Sequence, residues 1–461
     1  MNQRAKKWIT FSLRWGIAVV GIWLVLRQIS LYDRVWVIQN NQLVSQRLWQ
    51  SVSASSEQAQ EYRVYDPADS AGKVIPRSTT ANKPEKKEVA LKTNALAAQL
   101  IGVDLSGDLS NEPKLVRLYV VENGQGRWIS PSELTEPYTV RVPYPRVDIG
   151  LIHMARQASP ILLILSVLIF PITYIVTSFR WHRLLKALDI HLTLARTFVL
   201  NMVGAFYNTF LLGSTGGDVV KAIYASKQTP HRTRAFMSVF VDRVVGLLAL
   251  LIMGGVMAAY QYFTGGPGDA SAHACGKIAI LCGLIVFGTA AGLFVFYHPT
   301  LRRVMGLDWF ISKLPKQKQV KNAIETMNLY RTQKWLVLQS LVVTFPVHIT
   351  VVLSAMLAGK AFGLGISPLY YFVAVPVIVL VGSIPISPQG AGVMEYFAII
   401  LLGRQGGTVG QAFALTMSIR MVQILWNLTG GIFVFRGGYH QPTEAEQRDL
   451  GEDELAAARA A

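Results

Sequence analysis

Two short stretches put ionisable side chains where the surrounding sequence is apolar. In LLGSTGGDVVKAIYASK (211–227), Gly216 and Gly217 precede Asp218 and Lys221; in SIPISPQGAGVMEYF (383–397), Pro388, Gly390 and Gly392 precede Glu395. Glycine allows a sharp turn and close approach to a ligand, and proline fixes φ and removes a donor, so each stretch predicts a broken helix. A short helix starting after such a break aims unpaired N–H groups into it, an arrangement suited to an anion. Lys221 adds a full positive charge. Asp218 and Glu395 would repel a bare phosphate, so their expected role is to hold Lys221, Arg243 or Arg420 in place, or to recognise a cationic headgroup. Arg243 follows Asp242 in VFVDRVVGLLALL, and Arg420 lies in FALTMSIRMVQILW, both apolar runs. An Asp or Arg at the centre of a membrane helix costs about 2.5–3.5 kcal/mol, which makes function the default reading of such residues. The chemistry implied is binding of a charged group. Neither HExxH nor any comparable ligand spacing occurs among the eight histidines, so no metal, cofactor or catalytic centre is expected.

Such residues need a membrane scaffold, and composition supplies one. Of 461 residues, 51% are hydrophobic and 15% charged, outside the range of ordinary soluble domains. About 20 apolar residues span the hydrocarbon as helix, a length met near 9–27, 160–179, 235–262, 276–297, 336–358 and 411–435. The first run follows the basic leader MNQRAKK without a small-residue cleavage site and is read as a retained anchor. The formal charge is +17, yet residues 31–150 balance at 14 basic and 14 acidic, so the excess falls in short loops elsewhere. Basic loops mark the cytoplasmic side and face anionic lipid heads, which excludes nucleic acid as the expected partner.

With the N-terminus inside, 1–30 is a cytoplasmic leader and first span. Residues 31–150 are an extracytoplasmic insert, 151–438 the membrane domain and 439–461 a disordered, acidic, alanine-rich cytoplasmic tail. In the insert, SVSASSEQAQ and STTANKPEKKE read as loose linker, whereas KLVRLYVVENGQGRWIS alternates around a turn signal and predicts a hairpin. The apolar stretches 194–226 and 369–402 are too short and broken for ordinary crossings. Each is expected to dip in and return, the first from the cytoplasm and the second from outside. The stretches TGGDVVK and QGAGVME align with Gly216 against Gly390 and Lys221 against Glu395, the placement expected of inverted-repeat transporters. The fold class is thus an all-α polytopic membrane protein of about six full spans and two re-entrant segments in a candidate inverted repeat, carrying a small β-containing insert. The pairs Gly288/Gly292 and Gly359/Gly363 read as helix packing, and Trp8, Trp15, Trp181 and Trp335 as aromatic belt.

The stretch GSTGGDVVKAIYASK…TRAFMSVFVDRVVGLLALL, followed by SIPISPQGAGVMEYFAIILL, resembles the lysylphosphatidylglycerol synthase transmembrane region, a flippase-like family, as does FRWHRLL with Arg180 and Trp181. The resemblance covers the first span and about 150–438. It implies movement of lipids with modified headgroups across the cytoplasmic membrane, with Asp218, Arg243, Pro388, Gly390, Gly392 and Glu395 at the motif positions. Gly213-Ser214 stands where the family more often has Pro-Gly, and Lys221 where it has Arg, a point charge in place of a bidentate fork. The soluble aminoacyl-transferase domain of bifunctional members has no counterpart after Arg436, so lipid aminoacylation, and enzymatic activity generally, is not expected. The partners expected are membrane lipids, anionic phospholipid or polyprenyl-phosphate type, with membrane or periplasmic proteins as further candidates. A transferase acting on a polyprenyl or phospholipid substrate, with Asp218 or Glu395 as base, is the first alternative. A scaffold working through its extracytoplasmic module is the second.

Overall fold

Inside hydrocarbon a backbone must satisfy its own polar groups, so uninterrupted apolar runs become long helices. The computed structural model describes residues 30–48, 61–66, 69–84, 88–91, 94–106, 114–136, 138, 147–210, 216–230, 232–265, 270–306, 309, 313, 317–384, 387–437 and 439. Among these, five helical stretches are long and apolar enough to cross a membrane: Pro160–Lys186, Arg232–Thr264, Ser271–Tyr297, Lys334–Ala361 and Val409–Gly437. They coincide with five of the six expected spans. The expected span 9–27 and the tail 440–461 lie outside the described residues, as do Gly213, Ser214 and SVSASSEQAQ.

In chain order the helices are α1 (Leu151–Gln157), α2 (Pro160–Ile169), α3 (Pro171–Lys186), α4 (Leu194–Phe210), α5 (Gly216–Ser226), α6 (Arg232–Thr264) and α7 (Ala270–Tyr297). There follow α8 (Pro299–Val304), α9 (Gln317–Thr332), α10 (Lys334–Ala361), α11 (Pro368–Ser383), α12 (Val393–Gly403), α13 (Val409–Thr429) and α14 (Gly431–Gly437). The stretch α2–α3 runs antiparallel to α10. Ser159 N–H donates to the Ala361 carbonyl, Ser166 and Ser354 exchange hydroxyl–carbonyl bonds, and Arg183 reaches Gln339 at 2.6 Å. The helix α7 stands apart, with only 6% of its apolar window buried, and Ile280, Leu284 and Phe287 exposed.

The pairs α4–α5 and α11–α12 pack as two helical hairpins. At 11 residues each, α5 and α12 reach roughly 16 Å, about half the hydrocarbon thickness. Glycines close both hairpins. A Cβ on Gly217 would lie 1.8 Å from the Gly204 carbonyl oxygen, and one on Gly390 would lie 2.6 Å from the Gly382 Cα. In the second hairpin Gly390 (φ +68°) and Gly392 (φ +83°) also adopt backbone conformations that favour glycine, both just before the start of α12. The Tyr370 hydroxyl, in the first turn of α11, donates to the carbonyl of Leu401 near the end of α12 at 3.0 Å, pinning the two arms antiparallel. Because the obstacle at Gly217 is backbone, which cannot rotate away, Gly217→Ala should cost about 1–3 kcal/mol. The measurement is thermal unfolding of purified protein in detergent, and an unchanged midpoint would contradict the packing.

Trp181 is not a belt residue. It is fully buried in the core of the first half, its indole N–H donating to Ser238 Oγ at 3.1 Å. The aromatic-belt reading failed because the helix continues past Arg180 to Lys186, placing Trp181 inside it. Trp335, by contrast, is exposed. Of the GxxxG pairs, Gly359 packs on Tyr371, but Gly363 is a turn residue with φ +70°, and Gly288 and Gly292 meet nothing within 4 Å.

The insert carries more strands than composition suggested. The expected hairpin forms, β7 (Lys114–Glu122) with β8 (Gln125–Ile129), in a sheet ordered β5-β6-β7-β8 with β5 (Glu88–Leu91) and β6 (Asn94–Ser106). Strands also form on either side of SVSASSEQAQ, where none was expected: β1 (Arg34–Gln39) with β2 (Gln42–Arg47), and β3 (Glu61–Asp66) with β4 (Asp69–Pro76). Asn40 and Asn41, both at positive φ, make the β1–β2 turn, and Val35 and Val37 face a small apolar core. Within STTANKPEKKE, Thr80, Ala81 and Asn82 are fully buried, and Asn82 exchanges backbone hydrogen bonds with Val103. Finally β9 (Val147–Asp148) pairs with β1, and Asp33 accepts from the Gly150 N–H and contacts His153 at 2.6 Å, tying both ends of the module to α1.

Candidate functional site

Each hairpin delivers a carboxylate in the first turn of its second helix, and each carboxylate meets an arginine of the following span. Asp218 of α5 is bonded to Arg243 of α6, and Glu395 of α12 accepts from Arg420 of α13 at 2.7 Å. Both pairs are separated by 25 residues. One shift of 177 residues therefore sets Asp218 against Glu395 and Arg243 against Arg420 in the candidate internal repeat. The glycine-based register, which sets Lys221 against Glu395, differs from this one by three residues. Its glycines occupy different places, Gly216 and Gly217 inside the first turn of α5 but Gly390 and Gly392 before α12.

The first half has a further buried cluster. Asp242 of α6 accepts from Arg180 of α3 at 2.8 Å and from Lys221 of α5 at 3.4 Å. Arg180 also donates to Thr344 of α10 at 2.9 Å. Lys221 donates to Asn201 at 3.3 Å and lies 4.0 Å from the centre of the Trp181 ring. Desolvation of three ions is offset only because every one has an opposite charge and further hydrogen bonds. Asp242 and Arg243, though adjacent, serve different partners on different helices.

Between the halves lies a cavity of about 370 Å³. Asp218, Asp242 and Arg243 reach its wall, joined by Arg180, Asn208 and His348, and by Gln389, Gln423 and Asn427 from the second half. Gln389, held at φ 49° in the turn Pro388–Gly390, donates to the Thr209 carbonyl at 3.3 Å and links the tips of the two hairpins. His348 meets the Gly246 carbonyl at 2.9 Å, and Tyr174 donates to Asn427 at 2.7 Å. Lys221, Glu395 and Arg420 stand behind the wall, with Lys221 and Glu395 only 3% and 2% exposed.

The helix N-termini are less open to an anion than their sequence implied. Gly217 N–H donates to Asn208 Oδ1 at 2.8 Å, and Gly392 N–H to the Glu395 carboxylate at 2.7 Å. Glu395 thus caps its own helix from the third position while paired with Arg420, and Gly392, having no side chain, returns no bond. Among the ionised side chains that line the cavity Arg180 and Arg243 balance Asp218 and Asp242, and Lys221, behind the wall, adds one positive charge to the cluster.

Arg180, which the sequence marked only through the FRWHRLL resemblance, joins the site without having been expected there. A signal was present: Tyr174, Thr177 and Arg180 recur at helical spacing, a polar stripe within an apolar span. Asn201 with Asn208, and Gln423 with Asn427, repeat the pattern on α4 and α13.

The family model of the lysylphosphatidylglycerol synthase TM region matches residues 148–431, more than half of the chain. A "UPF0104 membrane protein" of Methanothermobacter thermautotrophicus is 22% identical over 289 residues, which is 58% of this chain and 82% of that protein. No solved structure matches. The matched range begins at β9 and holds both hairpins, both carboxylate–arginine pairs and every helix lining the cavity, and on it this chain belongs to the lysylphosphatidylglycerol synthase transmembrane-region family.

Proposed function

We propose that this protein binds a phosphate-containing lipid and moves it between the leaflets of the cell membrane, with its N- and C-termini cytoplasmic. The observation that carries the reading is a cavity walled by ionised side chains of the first half, Arg180, Asp218, Asp242 and Arg243, and by the neutral polar groups Gln389, Gln423 and Asn427 of the second, with buried Lys221 behind it. Charge at that depth is costly unless a polar ligand uses it. On this reading the hairpins enter from opposite faces, which the antiparallel course of α3 and α10 supports. The phosphate is received by Arg243, whose pairing with Asp218 is the most exposed of the intramembrane ion pairs described here, at 28% and 25% for the two side chains. Asp218 keeps Arg243 oriented while the cavity is empty and yields it when phosphate arrives. Arg180, Asp242 and Lys221 stay fixed as the floor.

The experiment is leaflet-resolved transport of fluorescent phosphatidylglycerol in reconstituted vesicles, read by chemical quenching of the outer leaflet. Losing one charge-assisted hydrogen bond removes about 1.5–3 kcal/mol, so Arg243→Ala should slow transport tenfold or more. Equal rates for wild type and variant would remove Arg243 from the site, and a wild-type rate equal to empty vesicles would remove the function for this lipid.

A further inference from the structure

We infer a second lipid site, distinct from the central cavity: a groove between α6 and α7 that holds an acyl chain of an anionic phospholipid, with its phosphate at Arg331 and Lys334. The groove has a volume of about 700 Å³. Phe240, Val244 and Leu248 of α6 form its floor, Gly292 and Phe296 of α7 one wall, and Val337 of α10 the other. It exists because α7 leans on α6 with little else to cover it and because Gly292 has no side chain to fill it. A Cβ there would meet no protein atom within 4 Å. A bilayer fills an apolar hollow of this kind with hydrocarbon, so the question is which lipid stays.

Charge answers it. Among the described residues, the ionisable side chains lining the groove other than tyrosines are Arg331 and Lys334, both cationic and close together where α9 hands over to α10. Arg331 is already oriented, donating to the Tyr297 carbonyl at 3.2 Å, with its guanidinium 5.8 Å from the Tyr297 ring centre. Basic groups beside a gap between membrane helices fit a lipid phosphate, and here the apolar floor begins next to them. The site is separate from the central cavity because α6 stands between the two, with Asp242, Arg243 and Gly246 facing the cavity and Val244 and Leu248 facing the groove. Tyr330 lines the groove and donates its hydroxyl to the Leu184 carbonyl of α3 at 3.1 Å, so a bound lipid presses on the joint between α9 and α3.

The test uses the full chain in phosphatidylcholine vesicles doped with phosphatidylglycerol carrying a photoreactive acyl chain, with labelled peptides mapped by mass spectrometry. The expected result is labelling concentrated on 237–248 and 289–297, several-fold above that from a photoreactive phosphatidylcholine. It should fall several-fold both in Arg331→Ala/Lys334→Ala and in the groove-filling Gly292→Leu. Equal labelling by the two lipids, or labelling that survives both variants, would reduce the groove to ordinary bilayer contact. Lipid transport is not read in this experiment, so its outcome is independent of the central cavity's role.

Discussion

Asp242→Asn is expected to give the largest loss of stability in the molecule. The single carboxylate neutralises two cations, and the side chains of Arg180 and Lys221 are only 6% and 4% exposed. Removing one member of a buried pair leaves an uncompensated charge, at about 3–5 kcal/mol. Two stranded cations put the expectation at the upper end, a large share of the roughly 5–15 kcal/mol that holds a typical domain. Thermal unfolding in detergent and the yield of monodisperse protein are the measurements. A triple replacement, Arg180→Met, Lys221→Met and Asp242→Leu, should recover much of the lost stability because no ion is left stranded. Wild-type stability in Asp242→Asn would show that the cluster is solvated, and the buried arrangement would have to be abandoned.

Glu395→Ala comes next, and its contrast with Asp218→Asn separates the two members of the repeat. Glu395 accepts from Arg420 and from the Gly392 N–H, both at 2.7 Å, and is almost fully buried. Its loss strands Arg420 at about 3–5 kcal/mol and removes a helix cap at about 1 kcal/mol. Asp218 is a quarter exposed and opens on the cavity, so Asp218→Asn should cost about 1 kcal/mol or less, as expected for a partly solvated pair. Paired melting curves decide the matter. A loss in Asp218→Asn as large as that in Glu395→Ala would mean that both pairs are structural and that neither is available to a ligand.

The spans and the hairpins were legible because their signals are long or categorical: twenty apolar residues, or glycine and proline interrupting them. The charged residues of the site were legible for the same reason, since Asp218, Arg243, Glu395 and Arg420 stand out against apolar neighbours. Their partners were not. Which carboxylate meets which cation depends on the rotation of whole helices, and the adjacent Asp242 and Arg243 turn to different neighbours. Arg180 escaped notice because it opens a run with Arg183 and Lys186 that reads as a loop, whereas α3 continues helically through all three. The strands β1 to β4 were hidden by polar flanks, since a short strand in a two- or three-stranded sheet needs only a few inward apolar positions such as Val35, Val37 and Val64.

The pairing of β9 with β1 bears on how this chain came to be assembled. Arg34 lies opposite Asp148 and Val35 opposite Val147, so more than a hundred residues depart from and rejoin the helical body at one doorway. A segment whose ends meet this way behaves as a cassette: it can be gained, lost or exchanged without stretching its host.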